Sequence, residues 1–454
     1  MPHNWFNRLL QLSHRAEHTE PPQVQGLVLS GGGSRASFHI GALRYLYSQA
    51  HIAPTCIVGT SAGSIVAAML AQSLAPSDQA ENLSQLEQLW MAMESSDDMF
   101  VEQAWFTRLR AQWDDIAALV VQHGGHTDEQ PTDKVVDATG DPMELVHHAM
   151  EDDPSLDMTI SPGVLWQLLG SLPRIGRAGA GLAATVRGAE RAASAYRPGP
   201  IVNRLLFESG FQSARVAKSG VRLRIAFVDL NSGTLRFMRE DGIIVDRDDQ
   251  PVGHASHDLT LGVWASCAIP GVFRPVKLGN EVYVDGGARE SVPVEMAVTN
   301  LGVTRPYVIA VDPPGVEPGD FTDKDVVAVM LRVSSIILDE TFQDEVEWAR
   351  AAGACVIEPR LSVHSALTVE PTLLRINRDY GWMCAAEEII NATSALRDIN
   401  DAIIKARCEW TALAKEPTVD EAAVSAIQAR IRELLTQADE TLLPPGYQTW
   451  ADAL

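Results

Sequence analysis

Gly59-Thr60-Ser61-Ala62-Gly63 holds a serine between two glycines, one two residues before it and one two residues after. The apolar run Cys56-Ile57-Val58 leads in, and an apolar stretch from Ala62 to about Leu74 leads out. A strand entering and a helix leaving is the setting in which a serine becomes a nucleophile. Gly59 and Gly63 let the backbone turn sharply without a Cβ clash. The hydroxyl is then exposed at a helix N-terminus, whose dipole favours developing negative charge. Outside that setting the same five residues would be a helix N-cap serine after a glycine turn.

A second glycine cluster, Gly31-Gly32-Gly33-Ser34-Arg35, follows the apolar run Val24-Gln-Gly-Leu-Val-Leu29. Consecutive glycine N–H groups at a helix start form an anion cradle, which suits the oxyanion of acyl transfer. A nucleotide-binding loop fits less well. The sixth position of the G-x-G-x-x-G pattern is Ala36, no Walker lysine is present, and no acidic residue ends the second strand, where Cys56 to Ser61 stand instead. Arg35 either orients the loop or holds a phosphate.

A serine nucleophile needs a base. The chain has 12 histidines, so a Ser-His-Asp triad has to be weighed. The α/β-hydrolase order is serine, acid, histidine, with the elbow well into the sheet; here Ser61 comes early. The last histidine, His364 in Leu361-Ser-Val-His-Ser365, has no catalytic loop around it. Asp285-Gly286-Gly287 is the stronger candidate. It follows the strand Val282-Tyr283-Val284 and presents a carboxylate at the strand end, with glycines that admit a close neighbour. The plainer alternative is a strand-to-loop turn, for which Asp-Gly is common.

The elements that must position these groups follow from hydrophobic spacing. Strands are expected at 24–29 and at Cys56-Ile57-Val58, the second broken by Gly59. A helix should run from about Arg35 to Gln49, with Ala36, Ile40, Leu43 and Tyr47 on one face. Strand, glycine turn and helix, repeated, is the rhythm of a parallel α/β sheet. That rhythm is lost between about 95 and 200. Asp114 to Asp157 holds twelve acidic residues against one lysine, and Ser171 to Arg197 five arginines against one glutamate. This region reads as an insertion carrying a helical lid. The sheet resumes with a hairpin, 223–227 and 235–237, around an Asn231-Ser232-Gly233 turn. Tyr307 to Val311 and Cys355 to Ile357 are later strands. Beyond Met383 amphipathic helices are expected to about Leu443.

The formal net charge of −23 disfavours nucleic acid, whose phosphates need clustered Lys and Arg. The 5 cysteines show no CxxC spacing, so a reducing, cytoplasmic location is expected rather than a disulfide framework. No signal peptide and no membrane-spanning run are visible. Residues 1–21 place Trp5, Leu9 and Leu12 on one helical face, which suits docking on the protein's own core better than an interfacial anchor. His123, His126 and the pair His147-His148 stand in acidic, polar surroundings and are expected to be solvated rather than metal-bound.

Taken together, the loop 31–35, the elbow 59–63 and Asp285-Gly286-Gly287 resemble the patatin-like phospholipase family. Ala265-Ser266-Cys267-Ala268-Ile269-Pro270-Gly271 and Tyr380-Gly381-Trp382 add to the likeness, which covers roughly 22 to 385. Two positions depart from the family pattern. Ala36 replaces a usual glycine, and Ser291 stands where an asparagine usually precedes the proline by two residues.

The resemblance implies an α/β, three-layer hydrolase with a central, mostly parallel sheet, plus a helical insertion and C-terminal helices. It implies a Ser61–Asp285 dyad without histidine. Gly31, Gly32, Gly33, Ser34, Arg35 and Ala62 would form the oxyanion and substrate-binding site, and no metal or organic cofactor would be needed. The expected substrate is the acyl ester of a phospholipid or other lipid, met in peripheral contact with a membrane. A soluble esterase or thioesterase, and an inactive lipid-binding scaffold, are the alternatives. Domain boundaries are expected at 1–21, 22–385 with the insertion, and 386–454.

Overall fold

The computed structural model describes residues 23–104, 107, 194–205, 210–316, 319 and 326–452. The segment 1–21, the charged stretches of the insertion up to residue 193, and His123, His126, His147 and His148 lie outside the described residues.

The chain enters through β1 (Gln25–Leu29), a 3-10 turn (Gly33–Ala36) and α1 (Ser37–Ser48), then β2 (Cys56–Thr60), α2 (Ala62–Leu70) and α3 (Pro76–Met91). Short strands β3 (Phe100–Glu102) and β4 (Tyr196–Pro198) precede α4 (Pro200–Asn203) and α5 (Ser213–Ser219). A meander follows: β5 (Arg222–Asp229), β6 (Thr234–Arg239), β7 (Ile243–Val245) and β8 (Pro251–Ser256). Next come α6 (Leu259–Ser266), the hairpin β9 (Val276–Leu278) and β10 (Glu281–Asp285), and β11 (Arg305–Ile309). The chain closes with α7 (Val326–Ala351), β12 (Cys355–Ile357), α8 (Pro371–Ile389), α9 (Ser394–Leu413) and α10 (Glu421–Gln437).

The sheet is mixed. A parallel half, ordered β12–β11–β1–β2–β5, continues into antiparallel β6, β7 and β8. The parallel strands are buried on both faces, as their near-continuous apolar runs require. Side-chain alternation divides those runs between two layers of helices. Val28, Cys56, Val58, Val308 and Val356 form one face and cluster with Phe342, Val346 and Ala349 of α7, which lie at helical spacing. Leu27, Leu29, Ile57, Tyr307 and Ile309 alternate with them and are equally buried.

On that second side α1 and α8 lie backbone against backbone. A Cβ at Gly41 would run into the carbonyl of Arg378, and one at Gly381 into that of Phe38. Phe38 and Tyr380 meet edge to face at 5.9 Å beside this crossing. Each is fully buried, worth about 1.5–3 kcal/mol of apolar transfer. The Tyr380-Gly381-Trp382 stretch is thereby explained as a helix-crossing motif. The Tyr380 hydroxyl also donates to Asp401 of α9 at 2.8 Å, and Arg407 of α9 pairs with Asp379 at 2.9 Å. These bonds dock the C-terminal helices, and residue 385 falls inside α8.

Gly59 does not break β2; it lies inside it, opposite Leu29 and Ile225. Its lack of a side chain serves packing instead, since a Cβ there would strike the Gly63 carbonyl and Ala67 of α2.

Two units are distinguished in the chain, Met1–Val101 with Arg197–Leu454, and Glu102–Tyr196. In the first, the Gly199 N–H donates to the Met99 carbonyl at 2.9 Å. In the second, Gln103 Nε2 donates to Ser194 Oγ at 2.6 Å. Among the described residues no helix is long and apolar enough to cross a membrane.

Candidate active site

One edge of β5 carries two strands. Its other edge is taken by β6 from Arg224 to Asp229. On the free edge β2 pairs in parallel up to Thr60, opposite Ala226. From Phe227 onward β10 takes over, antiparallel, with Asp285 opposite Phe227. The two strands therefore run toward each other, and their C-terminal ends meet. Ser61 is the next residue after β2, so it is delivered to Asp285 by strand pairing alone.

Ser61 makes a strained turn between β2 and α2, with φ 52 and ψ −128. A positive φ at a non-glycine residue costs on the order of 1–3 kcal/mol and persists only where neighbours enforce it. Here they do. The Ser61 N–H donates to Ser266 Oγ at 2.8 Å, and Ser266 Oγ donates in turn to the Ala226 carbonyl at 2.6 Å. Ser64 Oγ donates to the Ser61 carbonyl at 2.6 Å. Gly63 sits against the Leu29 and Ser30 carbonyls, each 2.5 Å from where a Cβ would lie, so only glycine lets α2 start this close to β1. Ser61 and Asp285 are each 4% exposed.

The Ser61 side chain faces the Asp285 carboxylate closely enough to favour its ionised form. Asp285 accepts from the Gly287 N–H at 2.8 Å, which fixes the carboxylate's rotation. Its own N–H donates to the Ala268 carbonyl at 3.0 Å. Gly286 crosses over β5 so closely that a Cβ would lie 2.7 Å from the Ala226 carbonyl. Burial pushes Asp285 up to about 7, against the lowering effect of the Ser61 side chain and the Gly287 N–H. A carboxylate tuned to that range is suited to take and return a proton at neutral pH.

The glycine loop lies beside the serine: a Cβ on Gly31 would be 3.3 Å from Ser61 Cβ and 3.2 Å from Ser291 Oγ. Its N–H groups are not equivalent. The Gly31 N–H is bound to the Ser291 carbonyl at 3.2 Å, and the Ser34 N–H to the Ala366 carbonyl at 2.9 Å. Among the described residues, the N–H groups of Gly32, Gly33 and Ala62 have no acceptor. Gly32 (φ 150) and Gly33 (φ 57) lie in backbone regions that favour glycine. Of the two roles open to Arg35, its contacts describe the orienting one. The guanidinium pairs with Asp312, and its Nε donates to the His364 carbonyl at 2.8 Å.

His364 is buried, with Nδ1 3.0 Å from the Ser365 carbonyl. Burial pushes it down to about 4. It contributes a carbonyl to the loop that carries Arg35. Motif and spacing assign no role to Ser266 or Ser291. The only signals are the 265–271 stretch and the departure at Ser291. The roles of both serines depend on which backbone groups they meet, which spacing does not reveal.

The fold is a three-layer α/β arrangement that brings a serine and an aspartate to converging strand ends. The family model described as Patatin-like phospholipase matches residues 27–298, more than half of the chain, and the chain belongs to that family. Its members are lipid hydrolases. Among solved structures, VipD from Legionella pneumophila is similar at 13% identity over 91% of this chain and 80% of that one, with a TM-score of 0.33. Full-length ExoU in complex with SpcU, from Pseudomonas aeruginosa, is similar at 13% identity over 96% and 71%, with a TM-score of 0.22. No curated protein matches the chain.

Proposed function

We propose that this protein hydrolyses carboxylic ester bonds of acyl lipids, in the manner of a phospholipase A or lysophospholipase, through a Ser61–Asp285 dyad. The observation that carries this reading is the convergence of two strand ends that sets Ser61 beside the buried Asp285 carboxylate, next to backbone N–H groups without acceptors among the described residues. Ser61 Oγ attacks the ester carbonyl as its proton passes to Asp285. The oxyanion is received by the N–H groups of Gly32, Gly33 and Ala62. Each such donor is typically worth about 3 kcal/mol of transition-state stabilisation. Collapse expels the alcohol, which takes the proton from Asp285. Water then attacks the acyl-enzyme, gives its proton to Asp285, and releases the fatty acid as Ser61 is reprotonated.

Every residue of this scheme lies in the unit formed by Met1–Val101 and Arg197–Leu454. Within the chain we assign the residues from 22 to the end of α8 to the hydrolase domain with its insertion, and α9 and α10 to a helical extension. The lipid substrate is assigned on family membership. The test is a panel of phospholipids, lysophospholipids and neutral lipids, read by mass spectrometry of released fatty acid, with Ser61→Ala alongside. Release by the wild type and not by the variant supports the reading. Turnover of short soluble esters alone would move the assignment to a soluble esterase.

A further inference from the structure

The loop that follows Asp285 touches both halves of the site. The Glu290 carbonyl accepts from Thr60 Oγ1 at 3.3 Å, one residue before the nucleophile. The Ser291 carbonyl accepts from the Gly31 N–H at 3.2 Å, at the start of the glycine loop. Whatever fixes residues 290–292 therefore fixes the distance between glycine loop and serine. These residues form no regular element, so their own N–H groups need acceptors from elsewhere.

The Glu290 N–H is bound to the Gly286 carbonyl at 2.8 Å, and one atom serves the other two. Glu345 Oε2, on α7, accepts from the Ser291 N–H at 2.9 Å and from the Val292 N–H at 2.6 Å. Glu345 stands one residue before Val346 and three after Phe342, both buried against the sheet, so α7 holds it rigidly. A path of hydrogen bonds thus runs from Glu345 through Ser291 to Gly31, where an added Cβ would come within 3.3 Å of Ser61 Cβ.

We propose that Glu345 is a positioning residue for the hydrolytic site: by capping the Ser291 and Val292 amides it holds the Ser291 carbonyl against Gly31, and so sets the glycine loop at the distance from Ser61 that an oxyanion requires. This rests on the reading of Ser61 as nucleophile. The role belongs to an acceptor oxygen and not to a charge. Burial pushes Glu345 up to about 8, and the neighbouring Glu290, itself paired with Arg247, adds to the rise. A protonated carboxyl still offers a carbonyl oxygen to both amides, as a glutamine amide would.

The test compares Glu345→Gln and Glu345→Met with the wild type and Ser61→Ala, by p-nitrophenyl butyrate kinetics, thermal melting and hydrogen–deuterium exchange of the peptide spanning 30–36. Loss of correct oxyanion geometry should lower the kcat of Glu345→Met by about 30-fold or more, with KM within about twofold. Glu345→Gln should stay within about threefold of the wild type, because its oxygen restores the cap. Exchange over 30–36 should rise in the methionine variant and not in the glutamine variant. If Glu345→Met does not fold, Glu345→Asp, whose carboxylate is withdrawn by one methylene, should show the same kcat loss and faster exchange. An unchanged kcat in a folded variant, a loss confined to KM, or glutamine failing as badly as methionine would each overturn the proposal. Turnover retained by Ser61→Ala would instead remove the nucleophile reading, and the exchange measurement would still decide the role of Glu345.

Discussion

Thr60 and Asp285 pair with consecutive residues of one strand, Thr60 with Ala226 and Asp285 with Phe227. Two strands far apart in sequence share a single edge of β5 and approach it from opposite directions. The serine after Thr60 and the carboxylate of Asp285 are thus joined through backbone ladders rather than through loops. Sites carried on regular elements hold their geometry better than sites carried on loops alone.

The pH profile follows from burial of Asp285. As the proposed base it would accept the Ser61 proton only when ionised, and burial pushes it up to about 7. Below that value kcat/KM should fall about tenfold per pH unit, and above it should level off. A profile flat from pH 5 to 8 would contradict this assignment.

The same shift has a stability consequence of opposite sense. Burial raises the folded-state pKa of Asp285 above the ordinary carboxylate range, so the folded state binds the proton more tightly than the unfolded chain does. Stability linked to Asp285 is complete below about pH 4, the ordinary aspartate value, and is lost as pH rises through about 7. Asp285→Asn removes the buried charge. Its melting temperature should match the wild type near pH 4 and exceed it at pH 8, by an amount corresponding to about 1–4 kcal/mol. The variant should be inactive at both. A gap that shrinks with rising pH would be the contrary result.

The strained turn at Ser61 separates two inactive variants. Ser61→Ala keeps a Cβ at φ 52 and should melt close to the wild type. Ser61→Gly relieves the strain and should be more stable than the alanine variant by about 1 kcal/mol. Equal melting temperatures would mean that the turn carries no strain.

Ser266 links the Ser61 amide to the Ala226 carbonyl. Ser266→Ala leaves both buried groups without partners and should cost about 1–3 kcal/mol of stability. It should also lower kcat more than KM rises, because the elbow loosens. By contrast, His364→Ala should retain most activity, since burial keeps its ring neutral and Nδ1 faces the Ser365 carbonyl. If His364→Ala were silent and Asp285→Asn active, the dyad would give way to a triad.

Much of the site is legible in the amino-acid sequence itself. The elbow, the glycine loop and Asp285-Gly286-Gly287 announce themselves because each pairs a chemical group with glycines at a strand end. Apolar runs locate β1, β2, β5, β6, β11 and β12. What stays hidden is long-range in sequence. Nothing in Val282-Tyr283-Val284 says that β10 runs antiparallel and shares an edge with β2. Gly31, expected to be an oxyanion donor, has its N–H bound to Ser291, a contact separated by 260 residues. Glu345 lies on a helix whose sequence resembles any amphipathic segment, and only the fold brings it to the Ser291 amide.

The central claim is that Ser61 is the nucleophile and Asp285 its base, and covalent labelling tests it most directly. A fluorophosphonate should add once to the wild type, with the adduct mapped by peptide mass spectrometry to Ser61. Ser61→Ala should remain unlabelled, and Asp285→Asn should label at least about 100-fold more slowly. An adduct on another residue, or equal labelling of Ser61→Ala, would contradict the account.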